Sequence, residues 1–362
     1  MAKPKSQVQT GSVRDVMPPA AAQHAEVRAV FMRVAIAAGF EPIQITPQSE
    51  INHMTLVTQA AINHGMPLPQ RLVMSGPQPF LAVLGNATAN ADAQVISLAL
   101  RLLRTLRIPG VTVTINSLGD GACAPRYRRQ LVDFLLDHER ELHADDVKHI
   151  TTDPRKVLTS QHVTTTEVVA QAPQMLNVLC SNCKTHVNGV LEYLDALRVT
   201  YELDPFFIPN GTGLEGLVFA IHGEQFGIGT ELALGGRQND SVGLSLSTER
   251  IVLSAVAAGI ELRPQATPPV YVASLGELAQ LVAFTLIEEL LDAGVAAVGS
   301  ITSDSISGQL ERAMSVGAPY VVIMGHKEVR DGSVLLRHLP SGAQETVPLK
   351  SLVGELSRRL HI

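Results

Sequence analysis

The segment CSNCKTH sets Cys180, Cys183 and His186 three residues apart, with Cys123 upstream. Thiolates and imidazoles at that spacing can ligate zinc. Cysteines three apart on a helix also pack as core thiols, and the sequence favours that reading over zinc. A second candidate is Arg250, in VGLSLSTERIV over residues 242–252. An alternating strand-like run there hands over to an apolar helix, and a guanidinium stands one turn in. Arginine stays charged and grips phosphate with two donors. The competing reading is a stem packed on the core with its head on a carboxylate, for which Glu249 lies adjacent in sequence. Arg237 sits in LGGRQND over residues 234–240, where the glycines suggest a turn between strands. Arg126, Arg128 and Arg129, in RYRRQ, suit a solvated helix face. Lys327 and Glu328 follow a strand that ends on glycine, in VVIMGHKEV.

The elements that must position these side chains follow from composition and periodicity. The chain has 362 residues, enough for two or three domains, with 46% hydrophobic and 17% charged residues and a net charge of −6. No long Lys/Arg run advertises a broad nucleic-acid face. With aromatics at 4% and no Trp, stacking platforms for single strands are not expected. No apolar stretch reaches membrane-span length. The opening MAKPKSQVQTGSVRD lacks an apolar signal core, and three cysteines cannot all pair within the chain. A reducing cytoplasm is the expectation.

Residues 20–39 and 90–106 have helical spacing, and 52–64 suits a helix as well. LPQRLVMSG and FLAVLG read as two short strands separated by Pro77 and Pro79, and VTVTINS as a strand that stops at a glycine. Residues 121–200 are helical in pattern and richer in charge, as in an inserted subdomain. Strand-like runs return over 201–247. From residue 268 strands and helices alternate, which predicts a small α/β domain with a mostly parallel sheet, joined through ELRPQATPP.

In this order the segments resemble class II histidyl-tRNA synthetases along nearly the whole chain. GSVRDVMP (residues 11–18) is similar to the family's opening, and GFEPIQITP (39–47) to its motif 1. TVTINSLGD (112–120) is similar to the lead into its helical insertion, SVGLSLSTERIVL to motif 3, and GQLERAMSVGAPYVVIMGHKEV to the class IIa anticodon-binding domain. The resemblance implies an α+β fold. A six-or-so-stranded antiparallel sheet with flanking helices would span 1–120 and 201–264. A helical insertion would occupy 121–200, and an anticodon-binding-type α/β domain 268–362. It also implies a dimer built through motif 1, and ATP, histidine and tRNA as ligands. Arg250, with Glu249, then stands at the motif 3 ATP arginine and Arg237 in a degenerate glycine-rich motif. Arg126, Arg128, Arg129, Lys327 and Glu328 become candidate RNA contacts.

Other expected parts are missing. In the family a strand like PQRLVMSGP leads to an arginine-bearing strand, a loop that reads the tRNA end, and a return strand. Here PQRLVMSGPQPF runs directly into LAVLGNATANADAQV, and no arginine lies between Arg71 and Arg101. The histidine-binding R-G-L-D-Y-Y signature is replaced within DPFFIPNGTGLEGLVF, where Pro209 takes the arginine position and Gly213 and Leu214 the two tyrosines. The expectation is a catalytically inactive paralogue that binds tRNA, another RNA or a protein partner, including a true synthetase in a heterodimer. A histidine-sensing regulator resembling the ATP phosphoribosyltransferase regulatory subunit ranks lower, because that family keeps the tyrosines and lacks the C-terminal domain. A divergent active ligase ranks third.

Overall fold

A computed structural model describes residues 20–45, 53–209, 213–224, 231–262, 269–299 and 305–361. The opening motif at 11–18 and the end of the motif 1 segment lie outside the described residues. The chain divides into two compact units, residues 1–263 and 264–362. The division falls inside the proline-rich segment read as a linker.

The first unit is built on one eight-stranded sheet. Its strands are β1 (Glu41–Ile43), β2 (Gln70–Met74), β3 (Phe80–Leu84), β4 (Val111–Ser117), β5 (Tyr201–Leu203), β6 (Glu215–Gly223), β7 (Glu231–Gln238) and β8 (Ser241–Leu246), in the order β1-β2-β3-β8-β7-β6-β4-β5. The inner pairs are antiparallel, while β1 runs parallel to β2 and β5 parallel to β4 at the edges. The sheet is therefore wider than the six strands expected, and mixed rather than antiparallel. The parallel edge at β4–β5 follows from topology, since the chain returns to β5 only after a long helical crossover.

FLAVL in β3 is buried throughout because both faces of this strand are covered. Leu81 and Val83 join the main core on one side. Phe80, Ala82 and Leu84 pack on the other against Met54, Val57 and Ala61 of α2 (His53–Asn63). The main core also takes in α1 (Ala20–Ala37), α3 (Ala89–Thr105) and α10 (Thr248–Ala257). The crossover contains α4 (Cys123–Asp137), α5 (Ala144–Val147), α6 (Pro154–Leu158), α7 (Val163–Val169), α8 (Met175–Val178) and α9 (Ser181–Ala196). It is helical, as the pattern predicts. It has no separate core: Leu131, Leu135, Val187, Val190 and Leu194 belong to the same continuous cluster as the sheet.

The second unit holds β9 (Val270–Ser274), α11 (Glu277–Asp292), β10 (Ala297–Gly299), α12 (Ile306–Ser315), β11 (Tyr320–Met324), α13 (His326–Asp331), β12 (Ser333–His338), β13 (Gln344–Pro348) and α14 (Leu349–Leu360). Its strand order is β10-β9-β11-β12-β13. β10, β9 and β11 are parallel, whereas β12 and β13 are antiparallel additions. The sheet is thus half parallel rather than mostly so. No described helix is long and apolar enough to cross a membrane.

Candidate functional site

β2 and β3 form a tight antiparallel hairpin in register from Gln70↔Leu84 to Met74↔Phe80, closed by residues 75–79. The strand that follows the connector is β3, which returns directly along β2. The connector lies against the start of α10, where Leu246 N donates to Pro79 O at 2.9 Å and Thr248 Oγ1 to Pro77 O at 3.4 Å. Five residues containing two prolines make the turn and have no length left for a ligand-reading arm.

Arg250 enters from the first turn of α10, whose N-cap Ser247 accepts a hydrogen bond from the Arg250 backbone N–H. Its guanidinium does not project free. Nη1 lies 2.7 Å from Glu231 Oε2 and 3.0 Å from Glu231 O, on the first residue of β7. Both side chains are a little over one quarter exposed. The carboxylate reading holds, but with Glu231 rather than Glu249. Glu249 is exposed; burial and then Arg28 lower the pKa of His24 in α1, and the Glu249 charge opposes that shift.

Arg237 does not stand in a turn. It follows Gly235 and Gly236 inside β7, and the turn to β8 comes later, at Asn239, which takes a positive φ of 52°. The glycines answer a packing demand: a Cβ on Gly235 would lie 2.4 Å from Phe219 Cζ and 2.6 Å from Gly243 O on the flanking strands. The Arg237 side chain is buried. Nη1 meets Asp92 Oδ2 of α3 at 2.5 Å, and Nη2 donates to Asn86 O at 3.0 Å. The same Asp92 oxygen accepts His186 Nε2 at 3.1 Å from α9. One carboxylate thus joins the sheet, a sheet-packing helix and the crossover.

His186 is therefore on Asp92 and not on the cysteines. The groups brought together are Cys123, Cys180, Cys183 and Asp120, whose donor atoms all lie within 4.8 Å of one another. Asp120 was not singled out in the sequence because an Asp-x2-Cys pair is not a familiar ligand motif. Its carboxyl is held well below the usual carboxylate range, first by the backbone N–H of Cys123 and then by that thiol. Burial pushes the Cys183 thiol well above the usual cysteine range.

Arg126 and Arg128 project from α4 but bind backbone carbonyls. Arg126 Nη2 donates to Val178 O at the end of α8, and Arg128 Nη2 to Thr151 O and Thr152 O. They brace the crossover. Arg129 is exposed and has no hydrogen bond or ion pair among the described residues. In the second unit Glu328 Oε2 accepts from Gly325 N at 2.9 Å, which caps α13, so only Lys327 of that pair is presented to solvent. Pro209 is buried, Gly213 is exposed with a φ of 60°, and Leu214 packs beside Gly236.

A mixed, largely antiparallel sheet with a strand-to-helix arginine, a helical crossover and a separate α/β unit defines a class II aminoacyl-tRNA synthetase fold. The likeness extends to particular proteins. The anticodon binding domain family matches residues 269–359. Histidine–tRNA ligase from Halothermothrix orenii is 30% identical over 285 residues, covering 76% of this chain and 68% of that protein. The Symbiobacterium thermophilum ligase is 31% identical over 290 residues, covering 76% and 67%. The crystal structure of apo S. aureus histidyl-tRNA synthetase aligns with a TM-score of 0.76 at 20% identity, over 97% of this chain and 99% of that one. The chain belongs to the histidyl-tRNA synthetase family.

Proposed function

We propose that this chain is a family member that has lost amino-acid activation and works by binding tRNA. Activation places negative charge on the α-phosphate of ATP, so a catalyst needs preorganised cations on both sides of it. The observation that carries the reading is the five-residue connector at 75–79, which leaves no room for the motif 2 arm and its arginine. Arg250, the opposite cation, is held by Glu231, and Arg237 is buried on Asp92. Pro209 cannot pair with a carboxylate, and Gly213 and Leu214 offer no hydroxyl to an imidazole. Removing a single transition-state donor costs about 2.7–4 kcal/mol, or roughly 10²–10³ in rate. Several such losses together leave no useful turnover.

The C-terminal unit supports retained RNA binding, since it carries the anticodon binding domain match. A homodimer through the motif 1 segment belongs to the same proposal. The test is a titration of the full chain with histidine-accepting tRNA at several salt concentrations. Binding that weakens linearly in log salt supports the proposal. No tRNA binding at low salt overturns it. In that case retention of a true synthetase would indicate a heterodimer, and thermal stabilisation by histidine a sensor.

A further inference from the structure

The start of α4 and the start of α9 meet at one place. Cys123 is the first residue of α4, Cys180 caps α9, and Cys183 lies in its first turn. Asp120 stands three residues before Cys123, on the loop after β4. Sixty residues separate Cys123 from Cys183, yet their sulfurs are 3.9 Å apart, and Cys180 Sγ lies 3.5 Å from Asp120 Oδ2. Zinc binds thiolates at about 2.3 Å and carboxylates at about 2.0–2.2 Å, so a tetrahedral site has S···S edges of about 3.8 Å and S···O edges of about 3.5–3.7 Å. Both observed separations match those edges, and all four donor atoms lie within 4.8 Å of one another.

The surroundings suit anionic donors. The Cys180 backbone N–H donates to Cys123 Sγ at 2.9 Å, and that of Cys183 to Cys180 Sγ at 3.5 Å. Asp120 Oδ1 is oriented by N–H groups of Ala122 and Cys123 at 3.0 and 2.9 Å, which leaves Oδ2 turned to the sulfurs. Two long helices direct their N-termini at the cluster, which favours negative charge there. Gly119, at φ 70°, lets the loop pass: a Cβ would lie 2.8 Å from Cys123 Cβ. Hydrogen bonds of this kind to ligand atoms orient metal sites.

We infer that Asp120, Cys123, Cys180 and Cys183 form a structural zinc site that clamps the N-terminus of α9 to that of α4. Three thiolates select zinc over magnesium or calcium. Four protein donors fill a tetrahedron, so the ion holds structure and leaves no position for a substrate. His186 takes no part, because its Nε2 is on Asp92.

The experiment is metal analysis of the full chain purified under reducing conditions, with cobalt titration of the metal-free protein. The expected result is about one zinc per chain, and with cobalt the sulfur-to-metal charge-transfer bands and intense visible bands of a tetrahedral thiolate site. H186A should keep the full zinc content and C183S should lose it. D120C should keep it with stronger charge transfer, which covers the case in which C183S fails to fold. Zinc below about 0.1 per chain, together with no thiolate–cobalt spectrum in the wild-type chain, would overturn the inference. So would loss of zinc in H186A with retention in C183S.

Discussion

Replacing Arg237 with Met separates a structural arginine from a nucleotide-binding one. Arg237 is 8% exposed, and its partner Asp92 is fully buried. Asp92 Oδ1 already has no hydrogen-bond partner among the described residues. Removing the guanidinium leaves a buried carboxylate facing only His186. Breaking a buried pair from one side costs about 3–5 kcal/mol, because the remaining charge has lost its compensation. For a unit of this size about 1 kcal/mol shifts Tm by about 2–4 °C, so R237M should melt roughly 6–20 °C lower. D92L should lose a similar amount by stranding Arg237. The double variant D92L/R237M strands neither group and should be less destabilised than the sum of the singles, with a coupling of roughly 1.5–3 kcal/mol. The assay is thermal and urea unfolding of all four proteins. A change of less than about 2 °C in R237M, or strictly additive effects, would refute the assignment. If Arg237 instead served a phosphate, R237M would leave Tm intact and abolish stabilisation by nucleotide.

Two further outcomes follow from the same packing. Gly235→Ala places a methyl against Phe219 and the immobile Gly243 carbonyl, so it should cost about 1–3 kcal/mol, readable as a lowered urea midpoint at unchanged slope; an unchanged midpoint would contradict the strand placement. Burial lowers the pKa of His53 and of His222. Each therefore takes up its proton more readily in the unfolded chain, so stability is full above about pH 6.5 and falls as pH drops towards the folded-state values. Tm measured from pH 7 to pH 5 should decline, and H53Q/H222Q should flatten that decline; identical slopes would contradict it.

Much of this was legible in the amino-acid order. The helices over α1 and α3 follow from apolar spacing, and FLAVL reads as a strand, though its burial on both faces emerges only with α2 packed against it. The two short strands show directly, separated by Pro77 and Pro79, and the structure pairs them as a hairpin. The contacts that decide residue roles were not legible, because they join positions far apart in sequence. Arg237 and Asp92 are 145 residues apart, and nothing local marks either as the other's partner. His186 lies at ligand spacing from Cys183, yet the helix turns it towards α3 and away from the sulfurs. Asp120 becomes a fourth donor only because the crossover brings α9 back to the end of β4. For Arg250 the sequence leaves a phosphate and a carboxylate partner both open, since Glu231 becomes its neighbour only through the sheet.

The proposed loss of activation rests on an ATP clamp that lacks one side and has the other neutralised by Glu231. ATP–pyrophosphate exchange with histidine tests it most directly. With the purified full chain, histidine-dependent exchange should not rise above the enzyme-free background. Sustained histidine-dependent exchange that is abolished by R250A would contradict it.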